Sequence, residues 1–197
     1  MKKRYILIAV AAIVCVAGIW VGTTRGVDED DEEAKELERK PLVGLKGVNV
    51  TIGEIEPEIE KLGLTKAMLQ TEVELELRKY GIKVLSEKER RETVGNPYLY
   101  VRVNTIWEPP DAYVIYSTSV ELKEAVTILR PPYNTIFMAT TWDSGYVGRV
   151  GTNNVKTIKD HVIESVREFI NDYLAANPSK PSEKWRPRST VPVEPNK

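Results

Sequence analysis

One cysteine and one histidine are present among 197 residues, and these scarcities remove whole classes of chemistry. Cys15 lies inside an apolar run near the start. The rest of the chain therefore has no disulfide, no cysteine-ligated metal and no thiol nucleophile. His161 alone cannot build a histidine-based zinc centre within one chain, because such catalytic sites usually take two or three. Helical spacing groups His161 with Thr157, Glu164, Ser165 and Glu168, off the apolar stripe. That predicts an exposed residue rather than a general base. Neither a G-x-S-x-G elbow nor a G-x-G-x-x-G fingerprint is present, and no internal repeat occurs. Ser144, in Trp142-Asp143-Ser144-Gly145, reads as turn chemistry rather than as a nucleophile. No pair of carboxylates stands out for glycoside hydrolysis. An excess of positive charge is also missing. Lys2, Lys3 and Arg4 precede the apolar run, which leaves 25 of the 28 cationic residues facing 29 acids. That balance argues against nucleic acid, which wants a basic patch.

What is present begins with the apolar run Tyr5–Gly22, which carries no charge and follows Met1-Lys2-Lys3-Arg4. As a helix it spans about 27 Å against a hydrocarbon core of about 30 Å. Tyr5 and Trp20 stand near its ends, where amphipathic rings favour the interface. The leading positive cluster favours the cytoplasmic side, so the remainder is expected outside the cytoplasm. Three fates compete. An uncleaved signal-anchor, single-pass in the inner membrane with the C-terminal domain periplasmic, is favoured. Apolar Ile19, Trp20 and Val21 follow the one small-residue cut site, Val16-Ala17-Gly18, with no polar region and no A-x-A. Cleavage there, with release to the periplasm, is the alternative. Lipidation of Cys15 is the third, but Val14 stands where a lipobox wants Gly or Ala.

Residues 23–41 read as an acidic linker. Asp28 to Glu33 are six consecutive acids. They lack the glycine and spaced ligands of a calcium loop, and like charges keep such a run solvated. Residues 42–177 form one domain and 178–197 a disordered tail with five prolines, five basic and two acidic residues.

Within the domain, alternation over 48–53 predicts a first strand. A connection over 54–63 leads to a helix capped by Thr65, with Leu69, Val73, Leu77 and Tyr80 on one face and Gly81 as its stop. Ile82–Leu85 reads as a short strand and Ser86–Asn96 as a charged loop. Tyr98–Trp107, Tyr113–Leu129 and Ile136–Trp142 read as an antiparallel meander with proline-bounded turns. Asp143–Asn154 reads as a glycine-bearing loop. A closing helix then carries Val155, Ile158, Val162, Val166, Phe169 and Tyr173 in one stripe, widened by Ile163, Ile170 and Leu174. The expected class is α+β. It is a two-layer domain, a mixed, mostly antiparallel sheet in the order β-α-β-β-β-β-α with two helices on one face, after an N-terminal transmembrane helix.

The loop Gly145-x-x-Gly148-x-x-Gly151 before a helix is the most suggestive local pattern, since helix-start amides attract anions. Val155-Lys156-Thr157 echoes the end of a P-loop, but Val155 stands where a glycine is needed. Trp107, Tyr113, Tyr133, Trp142 and Tyr146 fall at strand ends or in loops, where aromatics serve either as core covers or as binding hot spots. The candidate ligand or partner surface is therefore Trp107, Tyr113, Trp142, Tyr146, Gly148 and Lys156. No catalytic, metal or cofactor residue is assigned.

The run Leu64–Leu85, ending Leu77-Arg78-Lys79-Tyr80-Gly81-Ile82-Lys83-Val84, resembles the amino-terminal domain of the TolB periplasmic protein. It is also similar to periplasmic domains of curli-secretion and penicillin-binding-protein-activating lipoproteins. The segments Trp142–Gly145 and Phe169–Leu174 look more like uncharacterised bacterial exported proteins. The resemblance spans residues 45–177 in outline and lacks the lipobox. It implies a non-enzymatic envelope role, with a protein partner or self-association and no cofactor. The expectation is a membrane-anchored partner-binding module, with a long run such as Tyr113–Leu129 as its sheet edge. The alternative is a small-ligand or glycan binder built on the Gly145–Gly151 loop and nearby aromatics.

Overall fold

The computed structural model describes residues 33–108, 110, 112–130 and 136–178. The expected membrane segment, Tyr133 and the expected tail from 179 onward lie outside them. Residues 33–39 are helical and Lys40–Leu42 is a turn of 3-10 helix. There follow β1 (Asn49–Ile52), α1 (Pro57–Lys61), α2 (Lys66–Lys79), α3 (Glu87–Glu92), β2 (Tyr98–Ile106), β3 (Tyr113–Thr127) and β4 (Ile136–Gly151). A 3-10 segment, Thr152–Thr157, leads into α4 (Ile158–Ala176). Among the described residues no helix is long and apolar enough to cross a membrane.

The class is α+β with a four-stranded mixed sheet in the order β1-β2-β3-β4. β1 and β2 run parallel, which the crossover through α1, α2 and α3 permits. The β2–β3 and β3–β4 pairs are antiparallel. Leu99, Val101, Val103, Val114, Tyr116, Val120 and Leu122 alternate onto one buried face. α4 packs on β3 and β4, and α2 packs on β1 and α4. The α4 stripe supplies Ile158, Val162, Val166 and Phe169, all fully buried. The Thr65 side chain accepts a hydrogen bond from Met68 N at 3.2 Å, so the expected cap is in place. The other sheet face carries polar residues such as Arg102, Asn104, Ser117 and Glu121, with Arg90 of α3 reaching over Tyr98.

Five segments differ from the expectation, the first being the connection over 54–63, which holds α1. The acidic linker is already helical over 33–39. It joins the fold at Arg39, whose Nε donates to Asp172 at 2.7 Å, and at the fully buried Leu42. Ser86–Asn96 contains a helix, not only a loop. Ser86 Oγ accepts from Glu89 N while Glu89 accepts from Ser86 N, a reciprocal capping box. Ion pairs from Glu87 to Arg90 and Arg91 support that otherwise polar helix. Ile82–Leu85 forms no strand. Only Val84 bridges Val48, so the sheet has four strands rather than five. Finally, β4 does not stop at Trp142 but runs to Gly151, because Tyr113–Leu122 pairs with Trp142–Gly151 without a break.

Glu76 ties the two long helices together. It is buried, and its carboxylate accepts from Lys79 Nζ at 2.8 Å and from Arg167 Nε on α4 at 2.7 Å. These bonds, Lys79 first and Arg167 next, hold its carboxyl below the usual glutamate value despite burial. A depressed folded pKa contributes stability above the unfolded pKa and loses it as pH falls through the folded one. Glu76→Gln is expected to cost about 1–2 kcal/mol at pH 7. In urea titrations that difference should shrink as pH falls below the ordinary glutamate range. A pH-independent difference would mean that packing rather than charge matters there.

Candidate functional site

The six residues expected to share a surface fall in separate places. Trp107 is half-buried and packs against the core. Trp142 is buried, with its ring edge-on to Phe169 at 5.2 Å and its Nε1 donating to Asp172 at 3.0 Å. Tyr113 stands exposed on the open face, where the Arg149 guanidinium lies 5.9 Å from its ring centre. Lys156 passes over the turn at Gly63, between α1 and α2. Only Tyr146 and Gly148 remain neighbours, on the helix-facing side of β4.

The expected glycine loop is strand up to Gly151. Gly145 and Gly148 are interior residues of β4 and Gly151 is its last, and six residues of 3-10 turn separate the strand from α4. Gly148 lies opposite Tyr116 in the ladder. A Cβ there would stand 2.7 Å from the Tyr116 hydroxyl oxygen. The glycine thus leaves space for the tyrosine to lie across β4 and reach α4. Its hydroxyl meets His161 Nδ1 at 2.7 Å, and the Tyr146 ring stacks on the imidazole at 4.4 Å with 3° between planes. Burial, and next the neighbouring Tyr146, push the Tyr116 hydroxyl pKa up, so it stays protonated. His161 is therefore a half-buried clasp between helix and sheet, not the exposed residue expected. Ser144 likewise bonds to α4, through the Glu168 carboxylate.

The open face holds a cleft of about 380 Å³ lined by Thr51, Arg90, Asn96, Tyr98, Tyr100, Lys123 and Met138. Its cations are already engaged. Arg90 pairs with Glu87 at 2.6 Å and donates to Asn96 at 2.7 Å. Lys123 pairs with Glu121 at 2.7 Å. Glu121 also receives Arg102 at 2.8 Å, Ser119 at 2.9 Å and Thr140 at 3.2 Å. Burial raises its pKa, but the bonds from Lys123 and Ser119 outweigh that and hold it below the usual range. This network ties β2, β3 and β4 together across the open face, and each cation lining the cleft already has a carboxylate partner.

The two sheet edges differ sharply. On the β1 side, Val48 N donates to Lys83 O at 3.0 Å and Leu85 N to Val48 O at 2.8 Å, so the chain after α2 covers the start of that edge. The edge at β4 has no strand beyond it among the described residues. Tyr113–Leu129, the expected edge, is an inner run, because β2 and β4 flank β3. From Trp142 to Gly151 the β4 edge carries no proline and no lysine, two common devices that block strand addition. It exposes Val147 at 76% and half of Tyr146. Beyond the bulge at Leu122/Lys123, the arm of β3 and β4 extends past β2 and exposes Ile136, Phe137 and Met138. No family model, no curated protein and no solved structure matches the chain.

Proposed function

We propose that this chain is a membrane-anchored cell-envelope protein of non-enzymatic role, whose α+β domain binds an extended protein segment by strand addition to β4. The observation that carries the reading is the unequal treatment of the two edges: one is bridged at Val48 by Lys83–Leu85, the other is long and has no strand paired to it among the described residues. Strand addition draws affinity from main-chain hydrogen bonds and specificity from alternate side chains. The engaged cations of the open-face cleft favour this over small-anion binding. The placement in a bacterial envelope rests on the sequence: the charged start, the uncharged run Tyr5–Gly22 and the resemblance to exported domains. Anchoring at residues 5–22 would hold the domain near the membrane on the periplasmic side.

A photo-crosslinking residue in place of Val147, in the full chain in intact cells, is expected to give discrete protein adducts. The same residue in place of Asn104, on the open face, is expected to give few. Equal yields at the two positions would overturn the edge reading. The mass of the mature N-terminus separates a retained anchor from cleavage and from lipidation at Cys15.

A further inference from the structure

The β4 edge carries a self-complementary pattern. Its only charged residues are Asp143 and Arg149, of opposite sign and equally spaced about Tyr146. Both are exposed, and neither has a salt bridge among the described residues. The backbone phase agrees with this spacing. Thr152 N donates to Ala112 O at 3.0 Å. Antiparallel ladders alternate hydrogen-bonded and non-hydrogen-bonded pairs. With Tyr113 opposite Gly151, the even-numbered residues from Trp142 to Val150 therefore bond inward to β3. The N–H and C=O groups of Asp143, Gly145, Val147 and Arg149 face outward.

We infer that the segment added to β4 is β4 of a second copy of this chain, antiparallel and centred on Tyr146, with Asp143 of each copy opposite Arg149 of the other. This rests on the edge reading above and names its partner. A two-fold axis at Tyr146 pairs outward residues with outward residues, Asp143 with Arg149 and Gly145 with Val147, so every inter-copy hydrogen-bonded pair is in phase. Moving the axis to Ser144 or Gly148 keeps the phase but loses both charge pairs. Centring on Asp143 or Arg149 sets like charges opposite each other. The Asp143/Arg149 register is thus the one in which this strand's charges match. A closed two-fold dimer uses each edge once and ends growth, where a head-to-tail contact would run on as a fibre. The two four-stranded sheets become one of eight strands. Tyr146 and its copy meet at the axis as a non-hydrogen-bonded pair, where Cα atoms approach to about 4.5 Å.

The test uses the full chain in its membrane, in a Cys15→Ser background so that an added cysteine is the sole thiol. Tyr146→Cys is expected to give a disulfide-linked dimer on mild oxidation, since that separation suits a disulfide. Ser144→Cys should give little, because it faces Gly148 of the second copy rather than itself. In detergent, Asp143→Arg or Arg149→Asp alone should weaken dimerisation about tenfold, because two opposite-charge pairs become two like-charge pairs. The double exchange should restore it. A circular-dichroism melt matching wild type shows that each variant is folded. A dimer that ignores all charge exchanges, or crosslinks best elsewhere, overturns this register and leaves the edge reading standing. Monomers only, with Val147 crosslinking to a different protein, overturn self-pairing alone. Monomers with no edge-specific adduct overturn both.

Discussion

Phe169→Ala is expected to lower the unfolding free energy by about 3–5 kcal/mol, the usual range for emptying a large aromatic site in a core. Phe169 has no exposure and stands on α4, where the helix stripe crosses β4. Trp142 meets it edge-on at 5.2 Å, and Tyr173 lies at 6.2 Å with a 36° tilt. The phenyl ring is thus the apolar contact by which α4 meets Trp142 of β4. Total stability for a single domain is about 5–15 kcal/mol, so this change alone brings the fold close to its threshold. A denaturant titration should show the midpoint falling with the slope unchanged. Phe169→Leu, which keeps most of the volume, should cost less than about 2 kcal/mol. If Phe169→Ala cost under 1 kcal/mol, the ring would not be the support of β4 that its contacts describe.

That support bears on the edge itself. A strand that offers its outer side to another chain has to be held firmly on its inner side, or addition would peel it away. β4 is held by the ladder to β3, by Trp142 on Phe169 and Asp172, by Ser144 on Glu168 and by Tyr146 on His161. All three side chains point to the helix layer, and all are even-numbered residues whose backbone also bonds inward. The outward residues Asp143, Val147 and Arg149 stand on the other face, where Arg149 lies over Tyr113. Inner fastening and outer availability are thus divided between the two phases of one strand.

The sequence signals for β2, β3 and α4 were strong, because each buries one face and so alternates or recurs at a helical period. Beyond Trp142 the signal faded. Half-covered Ser144, Tyr146 and Gly148 do not form an apolar face, and three glycines resemble a loop. The reason for Gly148 sits in another strand, at Tyr116, which no local window contains. The partners of His161 are hidden for the same reason: they come from β3 and β4, not from its own helix. Strand order was equally hidden. Length made Tyr113–Leu129 look like an offered edge, but which strand lies outermost depends on long-range pairing. By contrast, the capping box of α3 was readable at Ser86-x-x-Glu89 and was masked only by the charged composition around it. Asp143 and Arg149 were visible as residues. Their symmetry about Tyr146 matters because β4 is outermost in the sheet among the described residues.

Gly47→Val is expected to cost about 3 kcal/mol and to expose the part of the β1 edge that the fold keeps covered. Gly47 has φ +148°, a conformation that side-chain-bearing residues rarely adopt, and a Cβ there would collide with the Lys83 carbonyl oxygen and lie 2.9 Å from the Lys83 Cβ. The obstacle is backbone, so no side-chain rotation relieves it. The next residue, Val48, exchanges hydrogen bonds with Lys83 and Leu85, and Asn49 Nδ2 donates to Leu85 O at 2.8 Å. Forcing the two segments apart breaks that clasp and leaves the outer backbone of β1 open to pairing. The variant should therefore melt earlier, lose amide-exchange protection at Val48 and Leu85 first, and aggregate more steeply with concentration than wild type. A closed dimer needs one open edge per copy, and a second open edge turns closure into extension. Should Gly47→Val keep wild-type protection at Val48 and Leu85, the β1 edge would have to be guarded by something other than the Lys83–Leu85 segment.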